Sequence, residues 1–176
     1  LPESDANATR KSLEALSQQL NCYADQGALA ALNASGTSQD ADLRDVISQT
    51  ILLEDRFGTG VQLSSGALSR LWGITSEHPR VPTDADRLAA LETLGDDRIR
   101  LDRSGITLPA DMQLDLGAVA KGYALDQTAQ QWQDAGIAWG ILSLRSSVLL
   151  YGSKPGGEDF TVQIQDPNGT GILGTV

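Results

Sequence analysis

The run Leu114–Asp126, L-D-L-G-A-V-A-K-G-Y-A-L-D, constrains the fold more than any other stretch of this chain. Two leucines flank Asp115, a pattern that predicts the end of a buried strand. Gly117 then predicts a turn, because glycine adopts backbone conformations that residues with a Cβ disfavour. A helical pattern begins by Lys121, and the N–H groups at a helix start lack intrahelical partners and carry the positive end of the dipole. The run therefore predicts a strand–turn–helix unit that can bind an anion.

The run does not match the common nucleotide-binding fingerprints. G-x-x-x-x-G-K-[ST] is not met, since Lys121 precedes Gly122, and there is no G-x-G-x-x-G. Generic nucleotide-binding folds are therefore disfavoured. On the residues alone, a strand-to-helix turn with a solvated lysine explains the pattern better than a phosphate site does.

Composition excludes several classes of protein. The chain has 176 residues and a formal net charge of −10, which disfavours nucleic-acid binding because phosphate neutralisation needs clustered Lys and Arg. No apolar run is long enough to span a membrane. Cys22 is the single cysteine, so no intrachain disulfide and no cysteine metal cluster can form. Its predicted place is the apolar side of the first helix.

Apolar residues at helical spacing predict three helices before the run Leu114–Asp126. The buried stripe of the first helix comprises Leu13, Leu16, Leu20 and Tyr23. A loop rich in Ala, Ser, Gly and Asn follows this helix. The second extends from Asp42 to Phe57, and its predicted inward face comprises Val46, Ile47, Thr50 and Ile51. The third begins at the N-cap Thr83, ends at Gly95, and buries Leu88, Leu91 and Leu94.

Alternating apolar residues predict strands elsewhere in the chain. They indicate a hairpin around the turn Asp102–Gly105, one long strand from Trp139 to Tyr151, and a strand from Phe160 to Gln165. Asn168-Gly169 is a hairpin turn signal before Ile172–Val176. Because helices and hairpins do not alternate in a βαβ rhythm, we predict one α+β domain over residues 1–176, with mainly antiparallel sheets packed with helices.

The run Leu114–Asp126 also resembles the D-L-G-[GA]-[IV]-A-K-G-Y-A-[VL]-D signature of the ApbE-like family, the FAD:protein FMN transferases. Further segments resemble that family in the same order along the chain, namely Tyr23–Asn33, Ser64–Gly73, Val81–Thr83, Tyr151–Pro155 and Ile164–Pro167. Family members continue into a segment with a D-A-x-x-T motif whose Asp and Thr bind Mg²⁺, and this sequence does not contain it. The resemblance thus covers nearly all of this chain but only the first part of a family member.

The resemblance implies a site for FAD and Mg²⁺. It assigns the cofactor contacts to Tyr23, Ser64, Ser65, Gly66, Asp115 and Lys121, and a Mg²⁺ ligand to the main-chain carbonyl of Ala118. Two of these residues have plain structural alternatives. Tyr23 also completes the stripe of the first helix, and Asp115 can cap its own turn. The resemblance identifies no catalytic residue in this chain.

The function implied by the resemblance is Mg²⁺-dependent transfer of FMN from FAD to a Thr or Ser hydroxyl of an acceptor protein, with release of AMP. Positioning and charge neutralisation dominate such phosphoryl transfers. Family members are usually exported lipoproteins of the cell envelope. Since this chain begins at Leu1 without a signal segment, we expect a trimmed form from which the lipid anchor has been removed.

Two departures from the family pattern keep other functions open. The family's F-D-[IV]-T is Val61–Ser64 here, and its L-G-G-x-V is Leu144–Val148, with Arg145 and Ser146 in place of the two glycines. These changes remove a carboxylate and backbone freedom. The alternatives are a protein that binds FAD or FMN without turnover, and a FAD pyrophosphatase in which water replaces the acceptor and yields FMN and AMP.

Overall fold

The computed structural model describes residues 2–176 and consists of helices and short strands. In chain order these elements are α1 (Glu3–Gln19), α2 (Ala28–Ser35), β1 (Thr37–Ser38), α3 (Ala41–Phe57), α4 (Gly66–Trp72), α5 (Asp84–Leu91), β2 (Arg100–Asp102), β3 (Gly105–Thr107), α6 (Ala120–Asp134), β4 (Trp139–Ser143), β5 (Val148–Gly152), β6 (Gln163–Gln165) and β7 (Ile172–Thr175). A 3₁₀ turn, Asp96–Arg98, precedes β2.

All strand pairs are antiparallel. One sheet has the order β1-β3-β2, and the other two are the hairpins β4-β5 and β6-β7. Each hairpin joins strands that follow one another in the chain, so short turns suffice to connect them. The predicted α+β class with mainly antiparallel sheets is confirmed.

The chain divides into two compact units. The larger unit is Arg10–Ala124, and the smaller unit is Leu125–Val176 together with the N-terminal residues up to Thr9. The core of the larger unit is one apolar cluster, which comprises Leu20, Cys22, Leu29, Leu32, Leu43, Val46, Ile47, Leu63, Ile99, Ile106, Leu108, Met112, Leu114, Leu116 and Tyr123. Helix α3 and the segment around Leu114 therefore share one core.

The N-terminal part of the larger unit corrects two predictions. Helix α1 ends at Gln19, so Cys22 and Tyr23 lie in the turn that follows and not on the helix. The predicted loop contains α2, whose Leu29 and Leu32 are completely buried. Helix α2 is short, and it ends where Gly36 adopts a φ of 75° and donates its N–H to the Leu32 carbonyl. Two buried leucines in eight residues give too little periodicity to reveal such a helix.

The other two predicted helices of this unit have different outcomes. Helix α3 is confirmed, with Asp40 as N-cap accepting from the Leu43 N–H at 2.9 Å. The N-cap Thr83 of α5 is also confirmed, since its side chain accepts from the Asp86 N–H. The predicted buried face is wrong: Leu88 and Leu91 are 58% and 44% exposed, and α5 ends at Leu91.

The hairpin predicted around Asp102–Gly105 is confirmed. Strands β2 and β3 pair with Leu101 opposite Ile106, and the Asp102 side chain accepts from the Ser104 N–H at 2.7 Å. Gly105 has a φ of 127°, and a Cβ at this position would lie 2.1 Å from the Ser38 carbonyl oxygen. Glycine therefore allows β3 to pair with both of its neighbours.

In the smaller unit, the long strand predicted from Trp139 to Tyr151 is wrong, because the chain reverses midway. Strands β4 and β5 form a hairpin with Ile141 opposite Leu150, and the Leu144 N–H donates to the Ser147 carbonyl at 2.8 Å. Arg145 has a φ of 63°, and it is the only non-glycine residue with positive φ in the part of the chain that the structure describes. The turn carries no Gly, Asn or Asp, which explains why the sequence did not reveal it.

Trp132 of α6 is the centre of the smaller unit's core. Its indole N–H donates to the Thr9 hydroxyl at 2.9 Å, and its ring meets Tyr151 edge to face at 5.7 Å between centroids. A Cβ on Gly140 would lie 2.6 Å from the Trp132 ring, so β4 needs glycine at this position. Leu125 of the same helix is buried as well.

The last hairpin is shorter than predicted. Strand β6 begins at Gln163 rather than at Phe160, and β7 covers Ile172–Thr175. The Asn168-Gly169 turn is confirmed between them, with the Asp166 carboxylate accepting from the Asn168 N–H at 2.8 Å. Two strands of this length bury little apolar surface, and Ile164 and Ile172 are half exposed.

Replacing Arg145 by glycine should stabilise the protein. A residue with a Cβ in the left-handed region costs about 1–2 kcal/mol, and glycine removes this cost while adding less than about 1 kcal/mol of chain entropy to the unfolded state. We expect Arg145→Gly to raise the free energy of unfolding by up to about 1 kcal/mol in urea denaturation. Ser146→Gly is the matched control and should destabilise, since Ser146 has no positive φ. A loss of stability in Arg145→Gly would contradict the strained turn.

Candidate functional site

Two segments lie side by side in the larger unit and bring the predicted site residues together. The Asp115 N–H donates to the Leu63 carbonyl at 2.8 Å, and the Gly66 N–H donates to the Gln113 carbonyl at 3.0 Å. Ser65 and Gln113 form an isolated parallel bridge. The predicted strand before Asp115 is thus an extended segment paired at single residues, and it does not become part of a sheet. Ser64, Ser65 and Gly66 lie alongside Asp115 as a result.

Asn33 fixes this extended segment from the opposite side. Its side-chain amide accepts from the Leu114 N–H at 2.8 Å and donates to the Leu114 carbonyl at 2.9 Å. Leu114 and Leu116 are fully buried, whereas Asp115 between them is half-buried. The alternation turns both leucines into the core and the carboxylate away from it. Sequence reasoning gave Asn33 no role, although it ends one of the quoted segments.

Asp96 holds the partner segment. Its carboxylate accepts from the N–H groups of Leu63 and Ser64 at 2.7 and 2.8 Å, and from the Gln62 amide at 2.7 Å. The buried Ser64 hydroxyl accepts from Gln62 at 2.7 Å and from the Gly95 N–H at 3.0 Å. Ser64 is therefore occupied within the protein, and its predicted contact to FAD remains a prediction. No pattern in the sequence marked Asp96.

Gly66 is required by the closeness of the two segments. A Cβ on Gly66 would lie 2.8 Å from the Gln113 carbonyl oxygen and 2.9 Å from that of Leu114. These atoms are main-chain atoms of the core and cannot move aside cheaply. The glycine predicted to allow close backbone approach to a cofactor thus allows close approach to Gln113 as well.

Tyr23 and Asp115 meet directly. The Tyr23 hydroxyl donates to Asp115 Oδ2 at 3.1 Å, although the two residues are 92 positions apart. The other oxygen, Oδ1, accepts from the Gly117 N–H at 2.8 Å. The structural alternative for Asp115 is therefore confirmed, since it caps its own turn with one oxygen and accepts from Tyr23 with the other, while its contact to FAD stays a prediction.

Arg70 extends the cluster. Its guanidinium carbon lies 5.5 Å from the centre of the Tyr23 ring, and one of its terminal nitrogens donates to the Cys22 carbonyl at 2.5 Å. Burial, with a smaller contribution from the Asp115 charge, raises the pKa of the Tyr23 phenol. Tyr23 therefore stays protonated and donates to Asp115 at neutral pH. Sequence reasoning assigned no role to Arg70.

The turn between Asp115 and α6 leaves several polar main-chain groups unused. Val119 and Ala120 donate to the Leu116 carbonyl, whereas the N–H groups of Ala118, Lys121 and Gly122 donate to no residue within the described chain 2–176. Within the same range the Ala118 carbonyl accepts no hydrogen bond. Gly117 has no positive φ, so the turn does not require the left-handed conformation predicted for this glycine. A Cβ at this position would lie 3.1 Å from Asp115 Oδ1, which is a tight contact.

The electrostatics of this helix start favour an anion. Helix α6 has no acidic residue in its first turn, and Lys121 is exposed there. A cation at a helix N-terminus opposes the dipole, so Lys121 contributes nothing to the stability of the helix. Unpaired N–H groups and a lysine are the features that bind phosphate oxygens at such positions. A free carbonyl, as at Ala118, is a ligand that hard cations accept.

Tyr123 anchors the same helix start to α3. Its hydroxyl donates to Asp45 Oδ2 at 3.1 Å, and the ring is buried in the core. Burial raises the pKa of Tyr123 well above its ordinary value, and the hydrogen bond and charge of Asp45 act in the same direction. These contacts fix the position of the helix start, and with it the position of Lys121, two residues before Tyr123.

The structure thus brings Tyr23, Ser64–Gly66 and Asp115 together through direct contacts. Ala118 lies on the turn that follows Asp115, Lys121 lies in the first turn of α6, and both are exposed. No group of three or more His, Cys, Asp or Glu side chains that could hold a metal ion occurs among residues 2–176. No helix in the described part of the chain is long and apolar enough to cross a membrane.

Comparison with known proteins decides the family. Residues 3–176 match the ApbE family. The chain belongs to the ApbE family. Among curated proteins it is similar to the FAD:protein FMN transferase of Treponema pallidum, with 29% identity over 97% of this chain and 54% of that protein. It also matches the FAD:protein FMN transferase of Rhodobacter capsulatus, with 30% identity over 85% of this chain and 30% of that protein.

Solved ApbE structures share the fold. The ApbE protein of Thermotoga maritima superimposes with a TM-score of 0.91 at 21% identity, covering 99% of this chain and 59% of that chain. The flavinyl transferase ApbE of Pseudomonas stutzeri superimposes with a TM-score of 0.85 at 22% identity, covering 98% and 58%. This chain spans about half the length of the Treponema pallidum relative. The α+β architecture is therefore that of the corresponding part of ApbE proteins.

Removing the Asp96 carboxylate should destabilise the paired segments. Asp96→Ala leaves the buried N–H groups of Leu63 and Ser64 without acceptors, and each lost hydrogen bond to a charged group is worth about 1.5–3 kcal/mol. We expect the free energy of unfolding to fall by about 2 kcal/mol or more, measured by urea denaturation. Asp97→Ala is the matched control, because the exposed Asp97 accepts no hydrogen bond from these segments. Equal losses in both variants would show that Asp96 does not hold the pairing.

Stability should fall as the pH rises above 10, the ordinary pKa of tyrosine, because the folded state keeps the Tyr123 proton that the unfolded chain releases. The unfolded state then binds fewer protons than the folded state, so the free energy of unfolding decreases with pH. Tyr123→Phe should flatten this decrease between pH 10 and 11.5 in urea denaturation. The slope that remains comes from Tyr23 and Cys22, whose pKa values burial also raises. An unchanged slope would contradict the assignment to Tyr123.

Proposed function

We propose that this chain supplies the FAD-binding part of a FAD:protein FMN transferase, which moves FMN from FAD to a Thr or Ser hydroxyl of an acceptor protein. The observation that carries the proposal is the contact between Tyr23 and Asp115 beside Ser64–Gly66. Residues from separate segments, which the family resemblance had assigned to the cofactor, meet in one place. The names of the curated relatives support the same activity.

Each predicted contact has a chemical role in this proposal. Asp115 accepts hydrogen bonds from polar N–H or hydroxyl groups of FAD, while Tyr23 orients the carboxylate. The free N–H groups of Lys121 and Gly122 and the Lys121 ammonium receive the phosphate oxygens. Ser65 and Gly66 approach the cofactor through their backbone, next to the Gln113 bridge. The protein therefore attracts an anionic dinucleotide locally, although its net charge is −10.

In the proposed reaction the acceptor hydroxyl oxygen attacks the FMN-side phosphorus of the pyrophosphate and gives up its proton to water. The bond from that phosphorus to the bridging oxygen breaks, and AMP leaves with that oxygen. Charge grows on the phosphate oxygens, where the α6 N-terminus and Lys121 stabilise it. The reaction needs orientation of FAD more than covalent participation by the protein, and no side chain of this chain is assigned as a catalytic base.

Mg²⁺ fits this site through one protein ligand. The Ala118 carbonyl is exposed and accepts no hydrogen bond from residues 2–176, so it is available to a hard cation. Mg²⁺ usually retains waters and binds substrate phosphates, so the other ligands in this proposal include oxygens of FAD. When bound, the ion would neutralise the charge that develops on the phosphates. Export and attachment by a lipid anchor at the cell envelope remain predictions from the family resemblance.

A second candidate function is binding of FAD or FMN without turnover. It is favoured by Arg145 and Ser146, which replace two glycines of the family pattern. A pyrophosphatase that uses water in place of the acceptor remains an alternative as well. Product analysis separates these three functions, because only transfer labels a polypeptide and only hydrolysis yields free FMN.

Asp115→Asn should weaken FAD binding by about tenfold, because it removes a charged hydrogen-bond acceptor from the site. The measurement is a titration of FAD followed by flavin fluorescence, in the presence of Mg²⁺. Asp126→Asn is the matched control, since the exposed Asp126 makes none of the site contacts and should leave the affinity unchanged. Equal FAD affinity in the parent protein and Asp115→Asn would rule out the carboxylate contact.

Turnover is tested with the same proteins. The parent protein is incubated with FAD, Mg²⁺ and a pool of threonine-containing peptides, and AMP, FMN and flavin-labelled peptide are quantified. Labelled peptide with equimolar AMP supports transfer, and FAD binding without AMP supports the binding protein. A parent protein that binds no FAD would exclude all three functions.

A further inference from the structure

A cavity of about 420 Å³ lies between α4 and α5, and its lining includes none of the residues assigned to the flavin site. Its polar lining consists of Arg70, Arg80, Asp86, Asp111 and Gln113. The remaining lining residues are alanines and one leucine. The cavity is large enough for a small molecule or for one side chain of a bound polypeptide.

Both arginines are held in place by main-chain carbonyls. Arg70 donates to the Cys22 carbonyl at 2.5 Å and stacks on Tyr23. Arg80 donates through Nε to the Leu71 carbonyl at 3.0 Å, and its own N–H donates to the Trp72 carbonyl at 3.1 Å. A guanidinium has five N–H donors, so each retains several for a ligand. Holding the side chains in advance lowers the entropy that binding would otherwise lose.

Neither arginine has a carboxylate partner. Within residues 2–176 the ion pairs do not include Arg70 or Arg80. The carboxylates that line the cavity are engaged elsewhere, since Asp111 binds Arg98 with both oxygens at 2.7 and 3.0 Å, and Asp86 accepts from the Thr83 hydroxyl at 2.8 Å.

Gln113 also lines the cavity, and it carries a polar atom without a partner. Its side-chain oxygen is buried and accepts no hydrogen bond from any residue in the described range. Buried polar atoms are nearly always paired, but this oxygen is an acceptor and needs an N–H or O–H donor, so Gln113 does not itself hold an anion. Main-chain atoms of Gln113 bind Gly66 and bridge to Ser65, which places the cavity next to the candidate flavin site.

We propose that this cavity is a binding site for an oxyanion, a carboxylate or a phosphate, held by Arg70 and Arg80. Charge-assisted hydrogen bonds from guanidinium groups suit the planar carboxylate and the phosphate alike. The inference goes beyond the proposed flavin transfer and does not depend on it, because the lining residues differ from those assigned to FAD. The anion could be a phosphate of the dinucleotide or an acidic side chain of a polypeptide substrate.

The experiment titrates the full chain with inorganic phosphate and, separately, with N-acetyl-aspartate amide, followed by NMR chemical shifts at low ionic strength. We expect both probes to bind saturably and to compete with each other. Arg80→Gln and Arg70→Gln should each weaken binding by about tenfold, as expected for the loss of a charge-assisted hydrogen bond. Arg103→Gln is the matched control, because the exposed Arg103 lies in the β2-β3 turn and does not line the cavity.

The outcomes separate the two sources of the anion and can also overturn the site. If saturating FAD displaces phosphate, the cavity takes a phosphate of the dinucleotide; if both probes still bind beside FAD, it takes a carboxylate of another molecule. Equal affinity in Arg80→Gln and the parent protein, or no saturable binding of either probe, would overturn the proposal. Arg80→Gln carries the test if Arg70→Gln fails to fold, which circular dichroism reports. Loss of FAD binding alone does not affect the phosphate titration.

Discussion

The pairing of Leu63–Gly66 with Gln113–Asp115 is the constraint on which the candidate site depends. These segments run through the core without joining a sheet, so their buried N–H and C=O groups need other partners. Asn33 supplies a donor and an acceptor to Leu114, and Asp96 supplies acceptors to Leu63 and Ser64. Asn33 and Asp96 thus satisfy these segments as a neighbouring strand would in a sheet, and they fix the positions of Ser64–Gly66 and Asp115.

The chain combines a strongly negative net charge with small regions arranged to receive anions. At the start of α6, the groups suited to an anion are unpaired N–H groups and Lys121. Between α4 and α5, they are the guanidiniums of Arg70 and Arg80, which form no ion pair within residues 2–176. Such local features act over a few ångströms, whereas the overall field of the protein is screened within about 10 Å at ordinary ionic strength. A negative net charge and an anionic ligand are therefore compatible.

Elements with a strong local signal could be predicted from the sequence, and elements fixed by distant partners could not. The range of α3, the N-cap of α5, the β2-β3 hairpin and the start of α6 follow from neighbouring residues. The turn at Arg145 lacks the usual turn residues, and the leucines of α5 are exposed despite helical spacing. For the site, the family resemblance selected Tyr23 and Asp115, but Asn33, Asp96 and Arg70 act through partners more than 30 positions away. A single sequence does not record such pairs.

The distribution of contacts along the chain also has a consequence for the order in which the protein folds. The hairpins β2-β3, β4-β5 and β6-β7 join neighbouring strands, so they close short loops and can form early. The contacts Tyr23–Asp115 and Asn33–Leu114 join residues 92 and 81 positions apart, and closing such long loops costs more entropy. We therefore expect the long-range contacts of the site to form after the hairpins.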